Sequence, residues 1–251
     1  MALLELRDVY KAFGDHQVLR GVNLRVERGT TTVIMGESGS GKTVLMKTII
    51  GLLQPDRGQV LVDGMDLAQL DDHALESLRA RFGMVFQGSA LFDSMSVFDN
   101  VAFPLRERQP HLDETERARR IREKLALFDL LPAEERFPEE LSGGMRKRLA
   151  LARALILDPE ILLYDEPTTG LDPIMSESVA QVIIRAKEKL GVTSVVIMAD
   201  LASAFEIADR IAFLHEGRMV AEGTPIEMRR SSDPEVRRFL ALWNESVESV
   251  R

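Results

Sequence analysis

The stretch Gly36-Glu37-Ser38-Gly39-Ser40-Gly41-Lys42-Thr43 decides the fold of this chain. A β-branched run over residues 31–35 precedes it, and residues 44–53 follow with the spacing of a helix. Glycines let a backbone wrap around phosphate oxygens, and the N–H groups at the start of a helix attract an anion. Strand, loop and helix in this order predict a P-loop in an α/β core, and a glycine-rich turn without a ligand is the less favoured interpretation.

The loop supplies most of the predicted nucleotide contacts. Lys42 is predicted to reach the β and γ phosphates, and the hydroxyl of Thr43 is predicted to ligate Mg²⁺. The other predicted binding residues of the loop are Gly36, Ser38, Gly39, Ser40 and Gly41.

Two carboxylates, Asp165 and Glu166, directly follow the apolar run of residues 161–164. Ligands of parallel α/β sheets bind at the carboxyl ends of the strands. Asp165 is therefore predicted to hold magnesium, and Glu166 to polarise a water for attack on the γ-phosphate. For these two residues alone a solvated strand end is an equally good interpretation, and the P-loop upstream favours the functional one.

A second helix start with exposed backbone donors is predicted at Leu141-Ser142-Gly143-Gly144-Met145, before a helix over residues 146–157. Two such anion-binding helix ends are more than one triphosphate needs. The alternative interpretation is a serine N-cap followed by flexible glycines, and it would be favoured if the segment stood alone.

The remaining sequence divides into three regions. Residues 3–33 predict short strands broken by Gly14, Gly21 and Gly29. A helical region follows, in which a helix starting at Asp113 turns Ala118, Ile121, Leu125 and Phe128 to one side and Arg117 to water. We predict a core over residues 1–86 and 159–224, an inserted helical subdomain over residues 87–158, and a helical tail over residues 225–251. Val236, Phe239, Leu240 and Trp243 form an apolar stripe on that tail, predicted to dock on a neighbouring subunit or, alternatively, to pack on its own domain.

Composition excludes several classes of protein. The 251 residues contain 32 Lys plus Arg against 40 Asp plus Glu, and the net charge of -8 argues against nucleic acid as a partner. Cysteine is absent, which excludes disulfides and thiolate chemistry and fits a reducing compartment. No apolar run approaches the roughly 20 residues that cross a bilayer, and the first residues lack the pattern of a signal peptide. We therefore expect a cytoplasmic protein.

Taken together, the motifs resemble the ATPase subunits of ATP-binding cassette transporters, in the family's order and over nearly the whole chain. The resemblance rests on Phe13, Gly36 to Thr43, Gln87, Leu141 to Met145, Asp165-Glu166 and Gly170-Leu171-Asp172. It implies a P-loop NTPase core with an N-terminal antiparallel β subdomain and an inserted α-helical subdomain, binding ATP and Mg²⁺.

The resemblance also assigns roles to single residues. It implies that Phe13 stacks on adenine and that Gln87 touches the metal and the γ-phosphate. Ser142 and Gly144 would clamp the γ-phosphate held by a second copy of the chain, with Gly143 and Asp172 in the same shared site. The family's glutamine at the end of the signature is Met145 here, which leaves the phosphate contacts unaffected.

Within that family, residues 86–93, residues 97–101 and the signature ending in Met145 resemble Mla-type phospholipid transporter ATPases. This resemblance implies lipid transport through integral membrane permease subunits, with the chain at the cytoplasmic face of the inner membrane. It further implies an accessory cytoplasmic subunit and a periplasmic lipid-binding subunit. The alternative explanation of these stretches is packing within a helical subdomain by their apolar residues, Leu91, Phe92, Val97 and Phe98.

One position departs from the family. These ATPases place a histidine after a strand and before an aspartate, where this sequence reads Val196-Ile197-Met198-Ala199-Asp200. We expect binding of ATP with impaired hydrolysis, because Ala199 replaces a donor to the γ-phosphate. The four histidines lie elsewhere, without metal-ligand spacing: His16, His73, His111 and His215.

Three other functions compete with an active transport ATPase. A soluble cassette ATPase of DNA repair or translation predicts two cassettes, a coiled-coil or zinc insertion, or a basic face, and the sequence shows none of these. A P-loop kinase would lack residues 141–145. A module that closes on ATP without turning it over is distinguished by single-turnover hydrolysis.

Overall fold

The computed structural model describes residues 2–86 and 88–248, with side chains described through residue 241. Its strands are β1 (Ala2–Phe13), β2 (His16–Glu27), β3 (Thr31–Met35), β4 (Arg57–Val62), β5 (Met65–Asp66), β6 (Phe82–Val85), β7 (Ile161–Asp165), β8 (Thr193–Ile197), β9 (Arg210–His215) and β10 (Arg218–Gly223). Its α-helices are α1 (Lys42–Ile49), α2 (Asp72–Arg79), α3 (Val97–Arg108), α4 (Glu114–Leu127), α5 (Gly143–Ala154), α6 (Pro173–Leu190), α7 (Leu201–Ile207), α8 (Pro225–Arg229) and α9 (Pro234–Glu248).

The opening of the chain forms an antiparallel sheet with the strand order β2-β1-β4-β5. The sequence predicted short strands here, with a break at Gly21, and this was wrong because β1 and β2 each run for 12 residues. Val9 pairs with Val22 and Tyr10 pairs with Arg20, so Gly21 is the extra residue of a β-bulge inside β2. Gly21 has a φ of 80°, a conformation that favours glycine, and a Cβ there would also lie 2.9 Å from the hydroxyl of Tyr10.

The second sheet has the order β10-β9-β3-β8-β7-β6. Strands β3, β6, β7, β8 and β9 are parallel, and β10 pairs antiparallel with β9. This sheet separates two hydrophobic cores. The first core lies between the sheet and the antiparallel sheet with α1, and the second lies between the sheet and the helices of residues 97–207. Val33 belongs to the second core and Ile34 to the first, as expected for a strand buried on both faces.

Helices α3, α4 and α5 pack together between β6 and β7 in the chain. Asp113 caps α4 as predicted, accepting from the backbone N–H groups of Thr115 and Glu116. Ile121 is buried as predicted, but the prediction that Arg117 faces water was wrong. Its guanidinium folds back onto the loop before α4, where it donates to the carbonyl of Leu112 at 3.0 Å.

The tail helix α9 packs on its own domain. Val236 is buried in the core beside the helical layer, and the ring of Phe239 lies edge-on to Phe213 of β9 at 5.0 Å between centroids. Leu240 packs against the same core, so these three residues match the alternative prediction of packing on their own domain, and docking on a neighbour stays a prediction. The side chain of Trp243 lies outside the described residues.

Within the described part of the chain, no helix is both long and apolar enough to cross a membrane. The predicted boundaries between subdomains, after residues 86, 158 and 224, stay predictions. The elements nevertheless position the candidate site, because β3, β7 and β8 end at the same edge of the parallel sheet.

Candidate nucleotide site

The P-loop leaves the centre of the parallel sheet at the end of β3. Gly36 approaches β9 so closely that a Cβ there would lie 2.1 Å from the carbonyl oxygen of Leu214. Any larger residue would push the loop away from the sheet. Gly41, with φ 106°, then starts α1 in a conformation that favours glycine. Both glycines are therefore required by the path of the backbone.

Lys42 is the first residue of α1, and its side chain is buried beneath the loop. The ammonium donates to the carbonyl oxygens of Gly36 at 2.8 Å and Glu37 at 2.9 Å. Burial lowers the pKa of Lys42, and the carboxylates of Glu166 and Asp165 oppose that shift. A desolvated cation inside a glycine-rich loop favours an anion as its partner.

The other loop residues present a mixed surface. Ser40 is buried, and its hydroxyl has no hydrogen-bond partner among the described residues. Ser38, Gly39 and Thr43 are exposed, and a Cβ at Gly39 would meet nothing within 4 Å. An unsatisfied hydroxyl and open space next to a buried ammonium fit a phosphate group.

The two carboxylates lie at the end of β7, which β8 separates from β3. Burial raises the pKa of Asp165, the charge of Glu166 raises it further, and Lys42 opposes the shift. Glu166 has a φ of 47°, and its N–H donates to the carbonyl of Ile197 at 2.8 Å. Two neighbouring acids, both of them half-buried, form a donor set that a divalent cation would stabilise. Magnesium therefore fits the residues present.

Ala199 lies in the segment that follows β8, between the strands that carry the P-loop and the acids. The preceding Met198 is fully buried and donates its N–H to the carbonyl of Ile34 at 3.3 Å. Asp200 caps α7 by accepting from the N–H of Ala202 at 3.1 Å. The methyl group of Ala199 is exposed between these two anchors, so this position presents no side-chain donor.

Phe13 ends β1 with 49% of its side chain exposed. The ammonium of Lys11 lies 5.7 Å from the centre of the ring. An exposed aromatic face can stack on a nucleobase.

The signature segment forms the start of α5. Ser142 is its N-cap, and the hydroxyl accepts from the N–H of Met145 at 3.3 Å. Gly144 is packed so closely on α6 that a Cβ would lie 2.8 Å from the Met175 methyl carbon. Asp172 caps α6 in the same way, accepting from the N–H of Met175 at 2.9 Å. These contacts match the N-cap interpretation and leave Gly143 half-exposed at the helix start.

Within one chain the predicted residues fall into two groups. The P-loop, Asp165, Glu166 and Ala199 share one edge of the parallel sheet. No hydrogen bond between described residues joins Ser142 or Gly144 to the P-loop. Gln87, predicted to touch the metal, lies outside the described residues.

Two contacts at the site were missed by the sequence analysis. The hydroxyl of Thr169 donates to Glu166 at 2.8 Å, and the three-residue spacing of a hydroxyl from an acid is a signal that could have indicated it. Arg238 of α9 donates to the P-loop carboxylate of Glu37 at 3.1 Å. No local pattern could have indicated that pair, because tertiary packing alone brings α9 to the loop.

Among the described residues, no three His, Cys, Asp or Glu side chains form a group that could hold a metal ion. Asp165 and Thr43 could therefore hold a cation only together with other oxygen donors. Phosphate oxygens and water are the ordinary partners of Mg²⁺ in such sites.

Comparison with known proteins agrees with this geometry. The model of the ABC transporter family matches residues 19–169. The ATP-binding protein MlaF of the intermembrane phospholipid transport system of Haemophilus influenzae is 42% identical over 238 residues, 95% of this chain and 90% of that protein. "Probable ribonucleotide transport ATP-binding protein mkl" of Mycobacterium tuberculosis is 40% identical over 237 residues, 94% of this chain and 66% of that protein.

A bacterial ABC transporter cassette solved as a dimer superposes with a TM-score of 0.79 at 33% identity, covering 88% of this chain and 98% of that one. The superposition agrees with an α/β core that carries an antiparallel β subdomain and a helical insert. The family model matches more than half of the chain, and the relatives are at least 40% identical over most of its length. The chain therefore belongs to the ATP-binding cassette transporter family, as a subunit that binds and hydrolyses ATP.

Proposed function

We propose that the chain binds Mg-ATP at the edge formed by β3, β7 and β8 and powers the movement of phospholipid through a separate membrane permease. One observation carries the nucleotide site: the buried ammonium of Lys42, which donates to the carbonyls of Gly36 and Glu37 beside two acids. An incoming β or γ phosphate would replace the carbonyl contacts with a charge-assisted hydrogen bond.

The residues of the loop divide the work of binding. Backbone N–H groups of Gly36, Gly39 and Gly41, with the hydroxyls of Ser38 and Ser40, would surround the phosphates. Phe13 would stack on adenine, and Lys11 beside it adds positive charge. Thr43, Asp165 and Gln87 would hold Mg²⁺, whose chemistry is to neutralise and orient the β and γ phosphates.

Glu166 is the proposed base that polarises the attacking water. Its backbone N–H donates to the carbonyl of Ile197 at the end of β8, and its carboxylate interacts electrostatically with the ammonium of Lys42. Ala199 offers no donor toward the developing charge of the γ-phosphate. We therefore propose that this chain binds ATP well and hydrolyses it slowly.

The proposed active unit is a dimer of two copies. A related cassette was solved as a dimer, and Ser142, Gly143 and Gly144 start a helix with no described hydrogen bond to their own P-loop. Placed over the P-loop of a second copy, that helix start and Asp172 would complete each nucleotide site.

The phospholipid assignment is supported by the name of the H. influenzae relative and by the Mla-like residues 86–93 and 97–101. We propose with it that the chain lies at the cytoplasmic face of the inner membrane, on integral permease subunits. An accessory cytoplasmic subunit and a periplasmic lipid-binding subunit complete the proposed assembly. Ribonucleotide transport is the second candidate, favoured by the name of the mycobacterial relative.

The substrate is tested by purifying the chain with its co-expressed membrane partners and identifying the bound small molecules by mass spectrometry. Phospholipid in stoichiometric amount, released on addition of ATP, is the expected result. Phospholipid that is no more abundant than in an unrelated permease prepared in parallel, or ribonucleotides in its place, would overturn the lipid assignment.

The nucleotide site is tested by Lys42→Ala. Removing the cation that faces the β and γ phosphates should weaken Mg-ATP binding at least 10²-fold, the size of a lost charge-assisted contact in a desolvated site. Lys189→Ala, on the exposed end of α6, is the matched control and should bind like the unmodified chain in a calorimetric titration. Equal affinities of the two variants would contradict the assignment.

A further inference from the structure

In the loop from Glu166 to Asp172, Thr169 forms two hydrogen bonds back to Glu166. The N–H of Thr169 donates to the carbonyl of Glu166 at 3.3 Å, and its hydroxyl donates to the carboxylate of Glu166 at 2.8 Å. Thr169 thus contacts both the backbone and the side chain of the proposed base. The turn also helps to keep Glu166 at its φ of 47°, a conformation that is costly for a residue with a Cβ.

This contact has a consequence for the chemistry of the carboxylate. A carboxylate has two oxygens, and the bond from Thr169 occupies Oε2, so Oε1 remains available to a water. Among the described side chains, Thr169 alone donates a hydrogen bond to the carboxylate of Glu166. The methyl group of Ala199, exposed in the segment after β8, can form no hydrogen bond.

We propose that Thr169 is a positioning residue for the hydrolysis step, holding one oxygen of Glu166 so that the other faces the attacking water. This inference rests on the proposed role of Glu166 as the base. It concerns the rate of the chemical step and not the binding of nucleotide, because Thr169 is exposed and lies after the acids, away from the P-loop residues that would surround the phosphates.

The test compares Thr169→Val with Thr169→Ser in the full chain. Valine keeps the shape and the β-branch of threonine and lacks the hydroxyl, whereas serine keeps the hydroxyl. We expect Thr169→Val to lower the single-turnover rate of ATP hydrolysis about tenfold, the factor that one hydrogen bond to a charged group supports. The KM for ATP and the thermal midpoint should stay unchanged, and Thr169→Ser should restore most of the rate.

Two results would overturn the inference: an unchanged rate in Thr169→Val, or an equal loss in the valine and serine variants. Glu166→Gln separates this failure from failure of the proposed function. If Glu166→Gln hydrolyses ATP as fast as the unmodified chain, Glu166 is not the base and the proposed mechanism falls. If Glu166→Gln is inactive while Thr169→Val is fully active, only the positioning role is lost.

Discussion

At the scale of single residues, the site holds charges that the nucleotide-free protein stabilises poorly. The raised pKa of Asp165 means that burial and the repulsion of Glu166 outweigh the attraction of Lys42. A carboxyl whose pKa is raised on folding binds its proton more tightly in the folded state, so its ionisation costs stability above the pKa of the unfolded chain. Asp165 therefore contributes a cost near neutral pH that a bound cation would remove.

We predict that Asp165→Asn raises the thermal midpoint of the nucleotide-free chain at pH 7 and abolishes binding of Mg²⁺ together with ATP. The gain should shrink as the pH falls toward about 3, below the unfolded-state pKa of about 3.9, where the carboxyl is largely protonated in both states. Calorimetric scans at the two pH values measure it. A lower midpoint at pH 7 than that of the unmodified chain would show that Asp165 is stabilised by its neighbours and not strained by them.

Ala199 gives the second prediction at this scale. Restoring a donor with Ala199→His should raise the single-turnover rate of hydrolysis by about 10²–10³-fold, the usual contribution of one donor to a developing charge. Affinity for ATP should change little, because binding rests on the P-loop.

The control for this experiment is Ala202→His, which places the same ring on an exposed position of α7. It should leave the rate unchanged. Equal hydrolysis by Ala199→His and the unmodified chain would mean that the missing histidine does not limit turnover.

At the scale of elements, the tail helix α9 is part of the core of its own domain. Val236 is 2% exposed, and Phe239 covers the ring of Phe213. The ion pair of Arg238 with Glu37 is largely exposed and contributes little, about 0–1 kcal/mol. Apolar contact, and not charge, therefore holds the tail beside the P-loop.

Truncation after Ser232 should accordingly destabilise the isolated chain by about 3 kcal/mol or more, since it removes the buried side chain of Val236 and the partly buried Phe239 and exposes Phe213. Arg238→Ala keeps these apolar side chains, removes only the exposed ion pair and is the control, with an expected loss below about 1 kcal/mol. Urea unfolding curves of both forms measure the difference. Two curves with the same midpoint would contradict the packing role and return the stripe to a docking role.

At the scale of the whole molecule, the helix start at Ser142 is the surface proposed to meet a second copy. Ser142→Arg places bulk and positive charge at this exposed N-cap and should abolish dimerisation driven by Mg-ATP. Light scattering with and without nucleotide measures the mass. Ser232→Arg, an exposed serine before α9, should dimerise like the unmodified chain, whereas normal dimerisation of Ser142→Arg would exclude the shared site.

The sequence by itself determined the order of the elements and the chemistry at their ends. The P-loop, the acids after residues 161–164 and the caps at Asp113, Asp172 and Ser142 are contiguous patterns, and each depends on backbone geometry within a few residues. The core strands that flank these motifs were therefore predictable. The roles of the site residues rest on the same local patterns and stay predictions.

Tertiary structure alone decided the contacts between segments that are distant in the chain. It paired the opening strands as one long hairpin, with Gly21 accommodated as a bulge, and it brought α9 onto β9 and Glu37. It also buried Arg117 and Lys42 and so set the direction of the pKa shift of Lys42. Burial and desolvation depend on which surfaces meet across the fold, and that information is absent from the local spacing of residues.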